Sequence, residues 1–149
     1  MKSSKVYIEN KMKTLIKQDA LREMILHAEQ TFPNECCGFF YGHENEDREI
    51  STIQISPNTK EGDQRRRFQI SAVDYMKAER YAMEHNLTLL GIYHSHPNHP
   101  AIPSEHDLKQ AMPYFSYIII SVQEGVYDHV RSWKLDDEGK FEEELFKTI

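Results

Sequence analysis

Apolar residues along this chain keep two rhythms. Leu21, Met24, Ile25 and Ala28 recur at steps of three and four, which align on one helical face, and predict a helix from Asp19 to about Phe32. Pro33 and Asn34 break it. Ser71 and Asp74 form a capping-box pattern that opens a second helix running to about His85, with Asn86 ending it. The other rhythm is that of strands. Residues 35–42 (ECCGFFYG) read as a buried strand, and residues 49–56 (EISTIQIS) alternate as its partner. Two strongly apolar strands are expected at 87–94 (LTLLGIYH) and 114–122 (YFSYIIISV). Shorter ones are expected at 12–17, 67–70, 130–135 and 141–146, the last two joined by a turn at 136–139. A short helix spans 104–112. Strands and helices mixed in this order give an α+β or a three-layer α/β domain. The pattern leaves strand order open.

Length and charge narrow the picture. One domain over residues 1–149 suits the size, which is large enough for a real core. Seven Phe, eight Tyr and one Trp are too many for a disordered chain. The longest apolar run, 117–122, is far short of the roughly 20 residues of a membrane span. The first 17 residues are polar and charged, without the apolar stretch of a signal peptide. A net charge of −6 leaves no electrostatic footprint for duplex DNA. The two cysteines, Cys36 and Cys37, are neighbours, which excludes a disulfide framework and fits a reducing compartment. A cytoplasmic protein that binds neither membrane nor nucleic acid is expected.

Histidine placement changes the reading more than any of this. His94, His96, His99 and His106 fall within thirteen residues, together with Pro97, Pro100 and Pro103. His94 and His96, one residue apart at a strand end, turn both imidazoles to the same face and supply half of a tetrahedral zinc site. Pro97 stops the strand, and the proline-stiffened loop turns the chain back. Ser104 then caps a helix whose first turn carries Asp107, a carboxylate able to reach the same metal as third ligand. Two His and one Asp leave one corner open for water, as catalytic zinc sites do. The bland alternative is that Ser104 and Asp107 are a plain capping box. His99 and His106 read as surface residues.

H-x-H, ten intervening residues and Asp, with Pro-Ser placed just ahead of the Asp, resembles the signature of the JAMM (MPN-domain) metalloproteases. The stretch N-E-C-C-G-F-F-Y-G around Glu35 looks like the glutamate-bearing strand of their short bacterial members, and R-F-Q-I-S and I-I-I-S extend the likeness across most of the chain. The resemblance implies an MPN-like (cytidine-deaminase-like) three-layer α/β/α domain with a curved mixed sheet. It implies Zn2+ held by His94, His96 and Asp107, with Glu35 as general base and acid and Ser104 as oxyanion donor. It also implies hydrolysis of an amide after the C-terminal Gly-Gly of a ubiquitin-like or sulfur-carrier protein. The absence of long insertions favours a small carrier over polyubiquitin.

Rival chemistries fit less well. His27-Ala28-Glu29 matches the H-x-E of zinc deaminases, but the consecutive cysteines cannot supply their P-C-x-x-C. A non-haem iron oxygenase could use two His and one carboxylate. A non-catalytic MPN-type interaction module would need a fourth ligand to close a structural site, and none stands out. Arg65, Arg66 and Arg67 read as a solvated turn, or as a basic run able to hold a carboxylate near a substrate groove. Trp133 reads as core, and the two cysteines as one buried residue and one facing the opposite way.

Overall fold

Side chains along residues 36–41 alternate between two apolar clusters, and that alternation sets the layers. Cys36 and Phe40 join Met24 and Ala28 in one cluster, while Cys37, Phe39 and Tyr41 join Ala78 and Ala82 in the other. A strand covered on both faces must be apolar almost throughout, which explains its continuous run. In the computed structural model, which describes residues 12–149, β1 (Thr14–Ile16) leads into α1 (Gln18–Thr31). Then come β2 (Cys37–Glu44), β3 (Arg48–Ser56), α2 (Ala72–Glu84) and β4 (Thr88–Pro97). After α3 (Glu105–Gln110) the chain forms β5 (Ser116–Gln123), β6 (Val126–Leu135), β7 (Phe141–Glu144) and β8 (Phe146–Thr148). Helices α1 and α2 cover opposite faces of one eight-stranded sheet of order β7-β6-β5-β4-β2-β3-β1-β8. The fold is the expected α+β, MPN-like arrangement around a mixed sheet. Among the described residues no helix is long and apolar enough to cross a membrane. Most of the polar N-terminal tract, residues 1–11, lies outside the described residues.

Curvature follows from connectivity. Strands β7 and β8 are the two ends of the sheet, yet only Leu145 separates them in sequence. In a flat sheet they would stand roughly 34 Å apart, at about 4.8 Å per strand. The sheet therefore curls until its ends approach. Glu144 stitches the seam, its carboxylate accepting from Thr14 Oγ1 at 2.9 Å and Ser132 Oγ at 2.8 Å.

Three expectations need correction. The strand expected at 141–146 is two strands, because its halves pair with β6 and β1 respectively. Residues 67–70 form no strand: the Asn58 amide bonds Arg67 O and Gln69 N, each at 3.1 Å, in place of a ladder. Cys36 and Cys37 are both buried, at 2% and 0% exposure, because neither face of β2 is open to water.

Strand β4 pairs antiparallel with β2 and parallel with β5. At Gly91 the chains approach closely, and an added Cβ would stand 1.9 Å from Ser116 O and 2.5 Å from the Phe40 ring. Gly91→Ala should therefore destabilise the protein by at least about 1–3 kcal/mol, the usual cost of overpacking. Urea unfolding checks this, and an unchanged midpoint would contradict the crowding.

Candidate active site

His94 and His96 occupy alternate positions on β4 and are 1% and 7% exposed. Phe68 stacks on the His94 ring at a centroid distance of 4.5 Å. Ser104 is the N-cap of α3, accepting the Asp107 N–H at 3.1 Å while the Asp107 carboxylate accepts the Ser104 N–H at 2.9 Å. The capping box is thus real, and it also aims Asp107 at the imidazoles. The two Nε2 atoms lie 3.2 Å apart, and each is 3.3 Å from an Asp107 oxygen. Edges of a tetrahedron with zinc–ligand bonds of 2.0–2.1 Å measure about 3.3–3.4 Å. The donor set fits a metal ion in spacing as well as chemistry.

Proton bookkeeping points the same way. His96 Nδ1 lies 2.8 Å from Pro100 O, a pure acceptor, so Nδ1 carries a proton and Nε2 is the ring nitrogen turned to the cluster. That nitrogen faces Asp107 Oδ2 at 3.3 Å, the geometry of an imidazole donating to a carboxylate or of two ligands sharing a cation. Burial pushes His94 below its ordinary value, outweighing the attraction of Asp107. Burial would raise the Asp107 carboxyl, but His94, His96 and the Ser104 N–H hold it well below the usual carboxylate range.

Glu35 stands just before β2, beside these groups. The β2–β4 pairing brings Cys37 opposite His94, and the Ser95 N–H reaches Cys36 O at 3.2 Å. Glu35 is 4% exposed, and its Oε1 has no hydrogen-bond partner among the described residues. Burial and the nearby Asp107 charge push its carboxyl from 4.5 up to about 9. Its backbone is tied to the 57–70 loop through Gln64 O at 2.7 Å and the Asn58 amide at 3.1 Å.

The remaining candidates separate clearly. His99 is exposed and His106 half-buried, its ring 2.9 Å from the Gln110 amide; neither joins the cluster. His27 bonds the Tyr93 hydroxyl at 2.7 Å within the α1 layer, and Glu29 accepts the Tyr127 N–H at 2.8 Å. Burial pushes the Cys36 thiol up to about 12 and raises Cys37 as well. Arg65, Arg66 and Arg67 are exposed. Trp133 is half-buried and donates from its indole to Ala101 O at 3.0 Å. Sequence reasoning missed the Pro100 carbonyl as a partner of His96 and gave no role to His129, which accepts the Ala101 N–H at 3.0 Å; no spacing marks either contact.

Residues 17–136 match the family described as prokaryotic homologs of the JAB domain. The chain belongs to that family. Among its relatives, the desampylase of Pyrococcus furiosus is 30% identical over 129 residues, covering 87% of this chain and 86% of its own. The CysO-cysteine peptidase of Mycobacterium tuberculosis is 28% identical over 130 residues, covering 87% of each. A JAB1/MPN domain protein from Archaeoglobus fulgidus shares the fold, with a TM-score of 0.60 at 17% identity over 93% of this chain and 99% of that one.

Glu35 gives this JAB-domain protein a pH signature. In the metal-free protein the native carboxyl stays protonated up to about 9, whereas unfolding frees it to ionise from about 4.5. The stability it contributes is full below 4.5 and is lost as pH rises through the folded value. Relative to Glu35→Gln, the metal-free protein should therefore lose stability progressively between those limits. Urea unfolding of both proteins across this range checks the sign; a parallel pH dependence would refute it.

Proposed function

We propose that this JAB-domain protein is a zinc metallopeptidase or isopeptidase. Its substrate is the amide after the C-terminal Gly-Gly of a ubiquitin-like or sulfur-carrier protein. The observation that carries the reading is the convergence of His94, His96 and Asp107 at tetrahedral spacing beside a buried, unpartnered Glu35. Relatives named as a peptidase and a desampylase support hydrolysis over oxygenase chemistry or a purely adhesive role. One sheet containing every described strand supports a single domain, and two free buried thiols fit the cytoplasm.

His94, His96 and Asp107 would hold the ion. Bound zinc would supply Lewis acidity, drawing the pKa of a water from 15.7 towards about 7. Glu35 takes the proton from the attacking water and passes it to the leaving amine; a cation bound beside it would favour its ionised form, and a buried carboxylate so ionised is a strong base. Ser104 has a hydroxyl that accepts at its cap and donates to no group among the described residues. That proton is available to a substrate oxyanion. A Gly-Gly tail suits such a site, since residues without side chains let the backbone approach the ligands closely.

Purified protein should contain one zinc per chain, and His94→Ala/His96→Ala should contain none. Full zinc in that double variant would sink the ligand assignment. Glu35→Gln should keep zinc while turnover falls about 10²–10⁴-fold, the share of a general base. Ser104→Ala should lose about 10²–10³-fold in rate with metal retained, whereas a thermal defect alone would leave it only a helix cap. The substrate is tested with a Gly-Gly carrier extended by cysteine or a short peptide, a Gly-to-Ala tail variant and an unrelated peptide. Cleavage confined to the Gly-Gly carrier supports the assignment; equal cleavage of all three means a general metallopeptidase, and none means an interaction module.

A further inference from the structure

The loop after His96 is fastened to the sheet residue by residue. Asn98 N–H donates to Val122 O at 2.7 Å, and Ser121 Oγ donates to His99 O at 2.6 Å. Ala101, fully buried, accepts from the Trp133 indole and donates its own N–H to His129 Nε2, both at 3.0 Å. Because Ala101 N–H is the donor, His129 Nε2 must carry a lone pair and its proton must sit on Nδ1. That Nδ1 lies 2.6 Å from Asp128 Oδ2, so the tautomer is set by a carboxylate.

The Ala101 N–H and the Pro100 carbonyl belong to one planar peptide unit. His129 holds the nitrogen end of that plane, and His96 Nδ1–H donates to its oxygen end at 2.8 Å. Five groups thus line up with their dipoles in one sense: the Asp128 carboxylate, the His129 imidazole, the Ala101 amide, the Pro100 carbonyl and the His96 imidazole. Accepting the amide proton polarises the peptide and strengthens its oxygen as an acceptor, and aligned hydrogen bonds reinforce one another. At the far end stands His96 Nε2, one of the three clustered donor atoms. We propose that His129, oriented by Asp128, is a positioning residue for the metal site, holding the Pro100–Ala101 peptide that fixes the His96 ring and raises its basicity. The proposal rests on the metal-site reading. It extends the usual single-step support of a metal-bound imidazole by one peptide and a second imidazole.

The experiment follows two signals. One is zinc affinity, measured by competition with a chromogenic chelator. The other is the His96 Nδ1–H resonance in metal-free, ¹⁵N-histidine-labelled protein, which needs no metal. In His129→Ala the zinc Kd should rise about 10–100-fold, the usual cost of losing outer-shell support, and the His96 proton should exchange faster with solvent as Pro100 O loosens. His129→Gln, whose amide oxygen can still accept the Ala101 N–H, should restore both. Asp128→Asn should weaken both less than His129→Ala. If His129→Ala fails to fold, the comparison of His129→Gln with Asp128→Asn decides: affinity kept in the first and lowered in the second supports the relay, and equal values overturn it. Unchanged affinity and exchange in a folded His129→Ala, or a Gln variant behaving as Ala does, would also overturn it. Wild-type protein that binds no zinc would sink the metallopeptidase reading instead, while the proton-exchange comparison would still judge the role of His129.

Discussion

Strand β4 is hydrogen-bonded on both edges and covered on both faces, and a strand so placed has no freedom to slide. A register slip of one residue against β2 or β5 would send every side chain to the opposite layer. His94 and His96 would then leave the α2 side and take the place of Tyr93 and Ser95, which now serve the α1 side by meeting His27 and the Cys36 N–H. The close approach at Gly91 locks that register further. With β4 immobile, the geometry of the donor cluster depends on where α3 brings Asp107. A six-residue helix has little intrinsic stability. Its reciprocal capping box therefore helps to hold the helix start, and the same carboxylate faces both imidazoles. Local folding and site assembly share one side chain.

Most of this was legible in the chain, for reasons that differ by element. Periodicity exposed α1 and α2 because each keeps one apolar face. The apolar runs of β2, β4 and β5 betrayed strands covered on both sides. The cluster His94, His96 and Asp107 could be read because its members are close in sequence. Arg48 shows the limit. It is 2% exposed, held by Glu44 at 2.5 Å, Ser116 Oγ at 2.6 Å, Tyr114 O at 2.9 Å and Leu90 O at 3.4 Å, and the last three come from segments more than forty residues away. Nothing in the surrounding sequence distinguishes it from a solvated arginine. His129 was equally silent, since its contact with Ala101 spans 28 residues. The failed strand at 67–70 has a different cause: a side-chain amide can satisfy backbone groups that a pattern rule assigns to a neighbouring strand.

Charge is distributed to match the chemistry. The site buries two carboxyl groups close together, an arrangement in which both cannot ionise cheaply without a cation. Asp107 wins the charge because the imidazoles and a backbone N–H face it, and Glu35 keeps its proton because burial and the Asp107 charge disfavour its ionised form. Two acids of similar kind are thereby pushed to opposite protonation states by their surroundings alone. A cation held by Asp107 and the imidazoles would favour ionisation of Glu35 as well, leaving it able to accept a proton. The cysteines next to Glu35 stay outside this chemistry, for burial keeps their thiols protonated.

The seam at Leu145 has a consequence for how the molecule meets others of its kind. An open sheet ends in rows of unpaired amide and carbonyl groups, which invite a further strand and with it aggregation. Here the terminal strands are four and three residues long, and they are drawn towards each other by a one-residue link. Strand β7, FEEE, turns Glu144 into the seam and pairs Glu143 with Arg131 at 3.3 Å. A second chain approaching there would find only a short template. The closure thus acts as a guard against edge-to-edge polymerisation.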